Sequence, residues 1–180
     1  MAKKSKTESA PAPASKSVSK KSASVNIGIS DKNRAAVAND LQILLADESL
    51  LYAKTRNFHW NVEGPHFGPL HKLFEAQYTE LAEVIDSIAE RIRKVGHYAV
   101  GTLSGFLNLA RLLEHNGEGD GTDRDMIQAL LDDHETIIRE MRNTIDRADD
   151  TYKDAGTADF LTGLMEQHET MAWMLRAHLA

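Results

Sequence analysis

The chain has 180 residues, 42% of them hydrophobic and 27% charged, with a formal net charge of −6 and no cysteine. That length points to one domain and suffices for a real core. The missing cysteine excludes disulfides, thiolate catalysis and zinc fingers. With no apolar run of about eighteen residues and no apolar segment after the first lysines, neither a membrane span nor a secretory leader is expected.

Residues 1–24 contain six lysines (Lys3, Lys4, Lys6, Lys16, Lys20 and Lys21) and one acid, Glu8, a formal +5. The remainder carries fifteen basic and 26 acidic residues, a formal −11. An acidic body with a basic arm suggests two separate jobs. The arm is Lys, Ser, Ala and Pro with almost no large apolar side chain. It cannot offset its ordering entropy by burial, so residues 1–29 are expected to be a disordered tail, whose last stretch, Val25-Asn26-Ile27-Gly28-Ile29, can dock on the body.

Ser30 or Asp31 is placed to cap a first helix, in which Val37, Leu41, Leu44, Leu45, Leu51, Tyr52, Thr55 and Phe58 recur at three-to-four spacing up to His59. The Gly64-Pro65 to Gly68-Pro69 stretch breaks it. A second helix carries Leu70, Leu73, Phe74, Tyr78, Leu81, Ile85, Ile88, Ile92 and Val95 on one face, and Gly96 is its expected stop. Residues 97–121 form a long connection with a short helix, "LSGFLNLARLL", and the loop "HNGEGDG".

Thr122, with Asp125 three residues on, opens a third long helix striped by Ile127, Leu130, Leu131, His134, Ile138, Met141 and Ile145. After "DDTYKDAG", Thr157 is expected to cap a fourth, with Leu161, Leu164, Met165, His168, Met171, Leu175 and Leu179. No run reads as a strand. Four long amphipathic helices and one long middle crossover make residues 30–180 an all-α, ferritin-like four-helix bundle with a short helix in the crossover.

Residues 57–75, "NFHWNVEGPHFGPLHKLFE", put His59, His66 and His71 around one turn. His71 and Glu75 are i, i+4 on one helix face, and so are Asp86 and Glu90 further along the same helix. Imidazole with carboxylate suits iron, manganese or zinc. From Glu75 to Asp86 is roughly 16 Å at 1.5 Å per residue, while a ligand–metal bond is about 2 Å, so the two pairs cannot hold one metal within one chain. His59, returned by a short loop, should join His71 and Glu75. Each chain then carries two half-sites, and a two-fold pairing of antiparallel second helices would complete both. Ile85, Ile88 and Ile92 flank the acids, which suggests that they face a buried surface.

The remaining histidines carry less. His134-Glu135 and His168-Glu169 sit in similar contexts, "DDHETIIREM" and "EQHETMAWML", and both histidines lie on apolar stripes, as satisfied core residues would. Glu63 and His66 match Glu-x-x-His but straddle Gly-Pro, so they are not one helical turn. His97, His115 and His178 look like surface residues.

"HWNVEGPHFGPLHKLFE" followed by "EVIDSIAERI" resembles the Dps family, the mini-ferritins, and "GTADFLTGL" resembles the start of that family's last helix. The resemblance spans roughly residues 30–179. It implies that His59, His71, Glu75, Asp86 and Glu90 are the metal and catalytic ligands of an inter-subunit ferroxidase site. Glu75 stands where the family usually has Asp, one methylene shorter. His59 and the partner's Asp86 would hold the tighter iron, Glu90 would contribute, and His71 and Glu75 would orient the second. Trp60 matches the family's tryptophan beside the site and would intercept one-electron oxidants.

Family members form hollow homo-dodecamers that oxidise Fe(II) with hydrogen peroxide and store ferric oxide. Some bind DNA without sequence preference through a lysine-rich tail. The implied protein is cytoplasmic and nucleoid-associated, with iron as its metal and zinc or manganese as substitutes. Asp150, Asp154 and Asp159, around the turn into the last helix, are candidates for an acidic three-fold pore. The competing reading is a DNA-packaging shell whose metal only staples the dimer.

Overall fold

The computed structural model describes residues 25–114 and 121–180, and among them only helices and loops occur. The six tail lysines and His115 lie outside the described residues. The helices are α1 (Asp31–Asn61), α2 (Phe67–Lys94), α3 (Leu103–Leu109), α4 (Asp123–Asp146) and α5 (Ala155–Ala177). α1 packs along α2 and α4 along α5. The two hairpins close into a bundle through α1 on α4 and α2 on α5, and α3 lies against α1. No helix among these residues is long and apolar enough to cross a membrane.

Local chemistry sets the helix ends. Ser30 Oγ accepts from the Asn33 N–H, so Ser30 rather than Asp31 caps α1. α1 stops at Val62 in extended conformation, and Gly64 at φ +97° turns the chain before α2. Gly96 ends α2 at φ +94°, where an added Cβ would meet Arg34 Nη1 at 2.7 Å. That guanidinium donates to the Val95 carbonyl at 3.1 Å, tying the start of α1 to the end of α2. Thr122 and Asp125 form the expected capping box of α4.

Three expectations need correction. The short helix ends at Leu109, not Leu113, because the buried Asp47 carboxylate of α1 takes the Arg111 and Leu112 N–H groups at 2.6 and 3.1 Å and pulls the chain out of helix. α4 does not stop before "DDT" but runs into a π-helical turn, Arg147–Thr151, held by Arg147 Nε donating to Asp40 at 3.0 Å. Thr157 is not the cap of α5. Asp154 is, accepting from the Thr157 N–H at 3.0 Å and the Thr157 hydroxyl at 2.6 Å, with Lys153 before it in the left-handed region at φ 57°.

The core is the expected leucine, isoleucine and methionine set, from Val37 to Leu175. Along α4, Ile137 and Thr144 are buried while Ile138 and Ile145 are half-buried, a rotation of one position from the stripe read in sequence. Arg34, Asp47, Glu48, Gln77, His134, Asp154 and His168 are buried with the apolar residues. Buried groups of this kind need partners; Asp47 finds Arg111 at 2.7 Å, and Arg111 also reaches Glu140 at 2.7 Å, so the crossover is clamped on the outside of the bundle.

Candidate metal centre

The α1–α2 turn brings His59 and His71 face to face. Their rings stack with centroids 3.8 Å apart. Each ring donates Nδ1–H to the other residue's backbone carbonyl, both at 2.8 Å. A carbonyl can only accept, so Nδ1 must carry the proton and Nε2 keeps its lone pair in the neutral ring. Backbone bonds to Nδ1 are the usual way a protein fixes the tautomer and aim of a metal-binding imidazole. His59 is buried and His71 half-buried, so the pair opens at the surface.

Glu75 follows His71 by one helical turn and is exposed. Asp86 and Glu90 lie further along α2, eleven and fifteen residues beyond Glu75, and are exposed too. Glu90 makes only an i, i+4 pair with Lys94 at 3.1 Å, with both side chains open to water. The expectation of a buried surroundings for these acids therefore fails within one chain. Ile88 and Ile92 point into the bundle, away from Asp86 and Glu90, and only Ile85 is half-exposed beside them. Among the described residues of a single chain, no three His, Asp or Glu side chains converge as a metal-holding group.

An apolar groove lies between α1, α2 and α3, and Ile85, the neighbour of Asp86 in sequence, is on its wall. The groove has a volume of about 610 Å³ and is walled by Leu50, Tyr52 and Asn57 of α1, Ile85 of α2, and Leu103 and Leu107 of α3. Leu103 is 81% exposed. Exposed leucines around such a groove are what an interface needs rather than what a free surface tolerates.

An aromatic group adjoins His59. Tyr78 meets the His59 ring edge-on at 5.2 Å and Tyr52 at 6.2 Å. The Arg56 guanidinium lies over Trp60 at 4.9 Å and over Tyr52 and Tyr78 at 5.4 Å each. Trp60 itself is 63% exposed. Tyr78 is a residue that sequence reasoning assigned only to packing; its position seven residues after His71, on the half-buried edge of α2, was the available signal.

The other candidates separate clearly. His66 pairs with Asp123 at 2.7 Å, which pins the α1–α2 loop to the start of α4 and lowers the Asp123 pKa, so Glu63 and His66 form no ligand pair. Asp150 and Asp159 are exposed. Asp154 is 3% exposed and ion-paired with Arg91 at 2.9 Å, so its place is that of a structural cap. His134 and His168 are buried and contact each other, Nδ1 to Nδ1, at 2.9 Å. Burial first, and the neighbouring His168 second, hold the His134 pKa well below the usual imidazole value. Next to them, and missed from the sequence, is Glu48 of α1. Its signal was an acid at the next step of the Leu41, Leu44, Leu45 stripe.

Comparison with known proteins agrees with this architecture. The ferritin-like domain family model matches residues 38–180. A low temperature-induced protein of Nostoc sp. (strain PCC 7120) is 50% identical over 155 residues, covering 86% of each chain. DNA protection during starvation protein 2 of Bacillus anthracis is 40% identical over 136 residues, 75% of this chain and 90% of that one. The crystal structure of the Vibrio cholerae DPS protein, described as a member of a broad superfamily of ferritin-like diiron-carboxylate proteins, superposes with a TM-score of 0.80. It is 33% identical and covers 86% of this chain and 95% of its own. A two-hairpin helical bundle with a long crossover, an imidazole pair at the first turn and this degree of identity leave one assignment: the chain belongs to the Dps family of ferritin-like proteins.

Proposed function

We propose that the protein is an iron-storing ferroxidase that oxidises Fe(II) with hydrogen peroxide at a site shared between two subunits and keeps the ferric product inside a hollow dodecamer. The observation that supports this reading is the reciprocal His59–His71 pairing, which occupies both Nδ1 atoms and leaves the Nε2 of each ring as the metal-binding nitrogen at the α1–α2 turn. Asp86 and Glu90 stand exposed further along the same helix, Glu90 held only by a water-open pair with Lys94. A second copy seated antiparallel on the α1–α2–α3 groove would place its Asp86 and Glu90 against His59, His71 and Glu75, and by symmetry complete a second site.

In that arrangement His59 of one subunit with the acids of the other holds one Fe(II). His71 and Glu75 orient the second. Imidazole and carboxylate oxygen are hard-to-borderline donors suited to Fe(II), and the carboxylates stabilise Fe(III) once it forms. Each Fe(II) gives up one electron, and the two electrons together cleave the O–O bond of one peroxide. With two waters the products are two FeO(OH) units and four protons. Paired electron delivery avoids the one-electron cleavage that would release hydroxyl radical. Trp60 and Tyr78, beside His59, are placed to reduce any one-electron oxidant that escapes.

Iron would enter past Asp150 and Asp159, which are exposed at the turn into α5. The basic tail supplies a second activity, non-specific DNA binding through phosphate neutralisation, which would keep the shell on the nucleoid in the cytoplasm. The deciding experiment mixes metal-free protein with Fe(II) and peroxide and follows ferric absorbance. Oxidation faster than in buffer, with one peroxide consumed per two irons oxidised, supports the reading. A rate equal to that in buffer overturns it.

A further inference from the structure

Seven buried side-chain nitrogen and oxygen atoms among the described residues have no hydrogen-bond partner, and four of them are Glu48 Oε1, Glu48 Oε2, His134 Nε2 and His168 Nε2. Glu48 comes from α1, His134 from α4 and His168 from α5, and all three are 0% exposed. They meet inside the bundle of a single chain, away from the surface imidazole pair. A fifth orphan, the buried Gln77 Oε1, is on α2, whose Nε2 donates to the Met171 carbonyl one turn after His168. A buried carboxylate that accepts no hydrogen bond is costly enough that folds rarely keep one without a cation.

The geometry says which kind. Glu48 Oε1 lies 3.1 Å from His168 Nε2, yet the two do not make a hydrogen bond, so the oxygen sits off the axis along which that ring nitrogen donates. Two donors in neighbouring positions on one cation, each about 2.1 Å from it and about 90° apart, stand about 3 Å from each other. Each is then about 45° off the other's donor axis, the direction in which a hydrogen bond fails. Behind the ring, His168 Nδ1 is 2.9 Å from His134 Nδ1, the contact that fixes a ligating imidazole from its far side.

We propose that Glu48 and His168, with His134 as the positioning residue, form a second divalent-cation site inside each subunit's bundle, separate from the inter-subunit site. One carboxylate and one imidazole, with no sulfur, select the first-row cations Fe(II), Mn(II), Co(II) and Zn(II) over Ca(II) or Mg(II). The remaining coordination positions would be filled by water entering with the cation. The site does not depend on the inter-subunit reading, because it shares no residue with it.

The test uses full-length, metal-free protein and Co(II) alone, whose d–d absorption reports bound nitrogen and oxygen ligands. The Asp86→Ala/Glu90→Ala variant disables the inter-subunit site without touching the core. It should still bind about one Co(II) per chain, and adding Glu48→Gln should weaken that binding by about 10-fold or more. No Co(II) bound in the double variant, or unchanged affinity after Glu48→Gln, overturns the proposal and identifies the cluster as a plain carboxylate–imidazolium pair. Should Glu48→Gln fail to fold, Co(II)-soaked crystals of the wild-type protein decide. An anomalous peak at bonding distance from Glu48 and His168 supports the site, and its absence overturns the proposal. Failure of the inter-subunit reading would appear separately, as unaccelerated iron oxidation with this Co(II) still bound.

Discussion

His59 and His71 hold each other by exchanging Nδ1–H bonds with each other's backbone carbonyls, both at 2.8 Å. The exchange locks the end of α1 to the start of α2 and fixes both tautomers before any metal arrives. His59→Ala should therefore lower the iron oxidation rate by about 10- to 100-fold, the usual effect of losing a ligand or its fixing bond. Asp86→Ala with Glu90→Ala should do the same and leave the shell assembled, because neither side chain packs in the core. Stopped-flow ferric absorbance with sizing chromatography checks both, and wild-type rates in the acid variant would sink the assigned site.

Helix period made the bundle legible in sequence, and helix rise made legible that His71 with Glu75 and Asp86 with Glu90 stand at separate places along one helix, α2. What stayed hidden depended on contacts between elements far apart in the chain. Asp47 reads as one more acid of α1 until Arg111, 64 residues on, is seen to clamp it. Asp154 reads as a pore acid until Arg91, 63 residues away, is seen beside it. Thr157 reads as a cap because threonine commonly caps, yet the acid three residues earlier reaches its N–H first. The isoleucines near Asp86 suggested burial, but on a helix neighbours in sequence face different ways.

The groove between α1, α2 and α3 should control both assembly and catalysis. Leu107 is 52% exposed on its wall. Leu107→Asp would place a charge where the proposed second copy would pack, at a cost of several kcal/mol if desolvated. The expected outcome is a smaller particle by light scattering and loss of fast iron oxidation, although every ligand is intact. A full-sized shell with normal kinetics would show that the groove is not the inter-subunit contact.

Asp154 caps α5 and pairs with Arg91 while almost fully buried. Asp154→Ala removes the cap, worth about 0.5–2 kcal/mol, and leaves Arg91 short of its anion, so a total loss of about 2–4 kcal/mol is expected. Thermal unfolding at one fixed subunit concentration measures it. Asp159→Ala, on an exposed position of the same helix, should change stability by less than about 0.5 kcal/mol and slow iron uptake instead. Equal stability losses in the two variants would refute the distinction between cap and entry residue.

Asp125 gives the α4 capping box a pH dependence. Hydrogen bonds from the Thr122 backbone N–H first, and the Thr122 hydroxyl second, hold its pKa below the usual 3.8. On acidification the unfolded chain therefore takes up this proton before the folded one does. The stability the carboxylate contributes is present in full above the ordinary Asp value and is lost as the pH falls through the depressed folded value. Wild type should melt above Asp125→Ala near neutral pH, and the two melting curves should converge in strong acid. A difference that persists or widens there would show that the side chain acts by some route other than its charge.

The arm and the body carry opposite charge, a formal +5 in residues 1–24 against −11 in the rest. A body of that charge would repel DNA, so any DNA binding is expected to run through the arms. Each arm offers six lysines, and neutralising Z phosphates makes affinity fall with salt at a slope of about −0.9Z. One arm alone would bind weakly at physiological salt. Several arms on one shell raise the effective concentration for each further contact, enough to convert weak contacts into condensation. Deleting residues 1–24 should abolish the gel shift of plasmid DNA and leave the rate of iron oxidation unchanged, because no proposed iron ligand lies in that segment. Changing all six lysines to glutamine should have the same effect as the deletion, which separates charge from length. The full-length complex should dissolve as salt rises and show no preference among sequences. A truncated shell that still shifts DNA at the same salt would place the DNA contact on the body, against its own charge, and end this assignment.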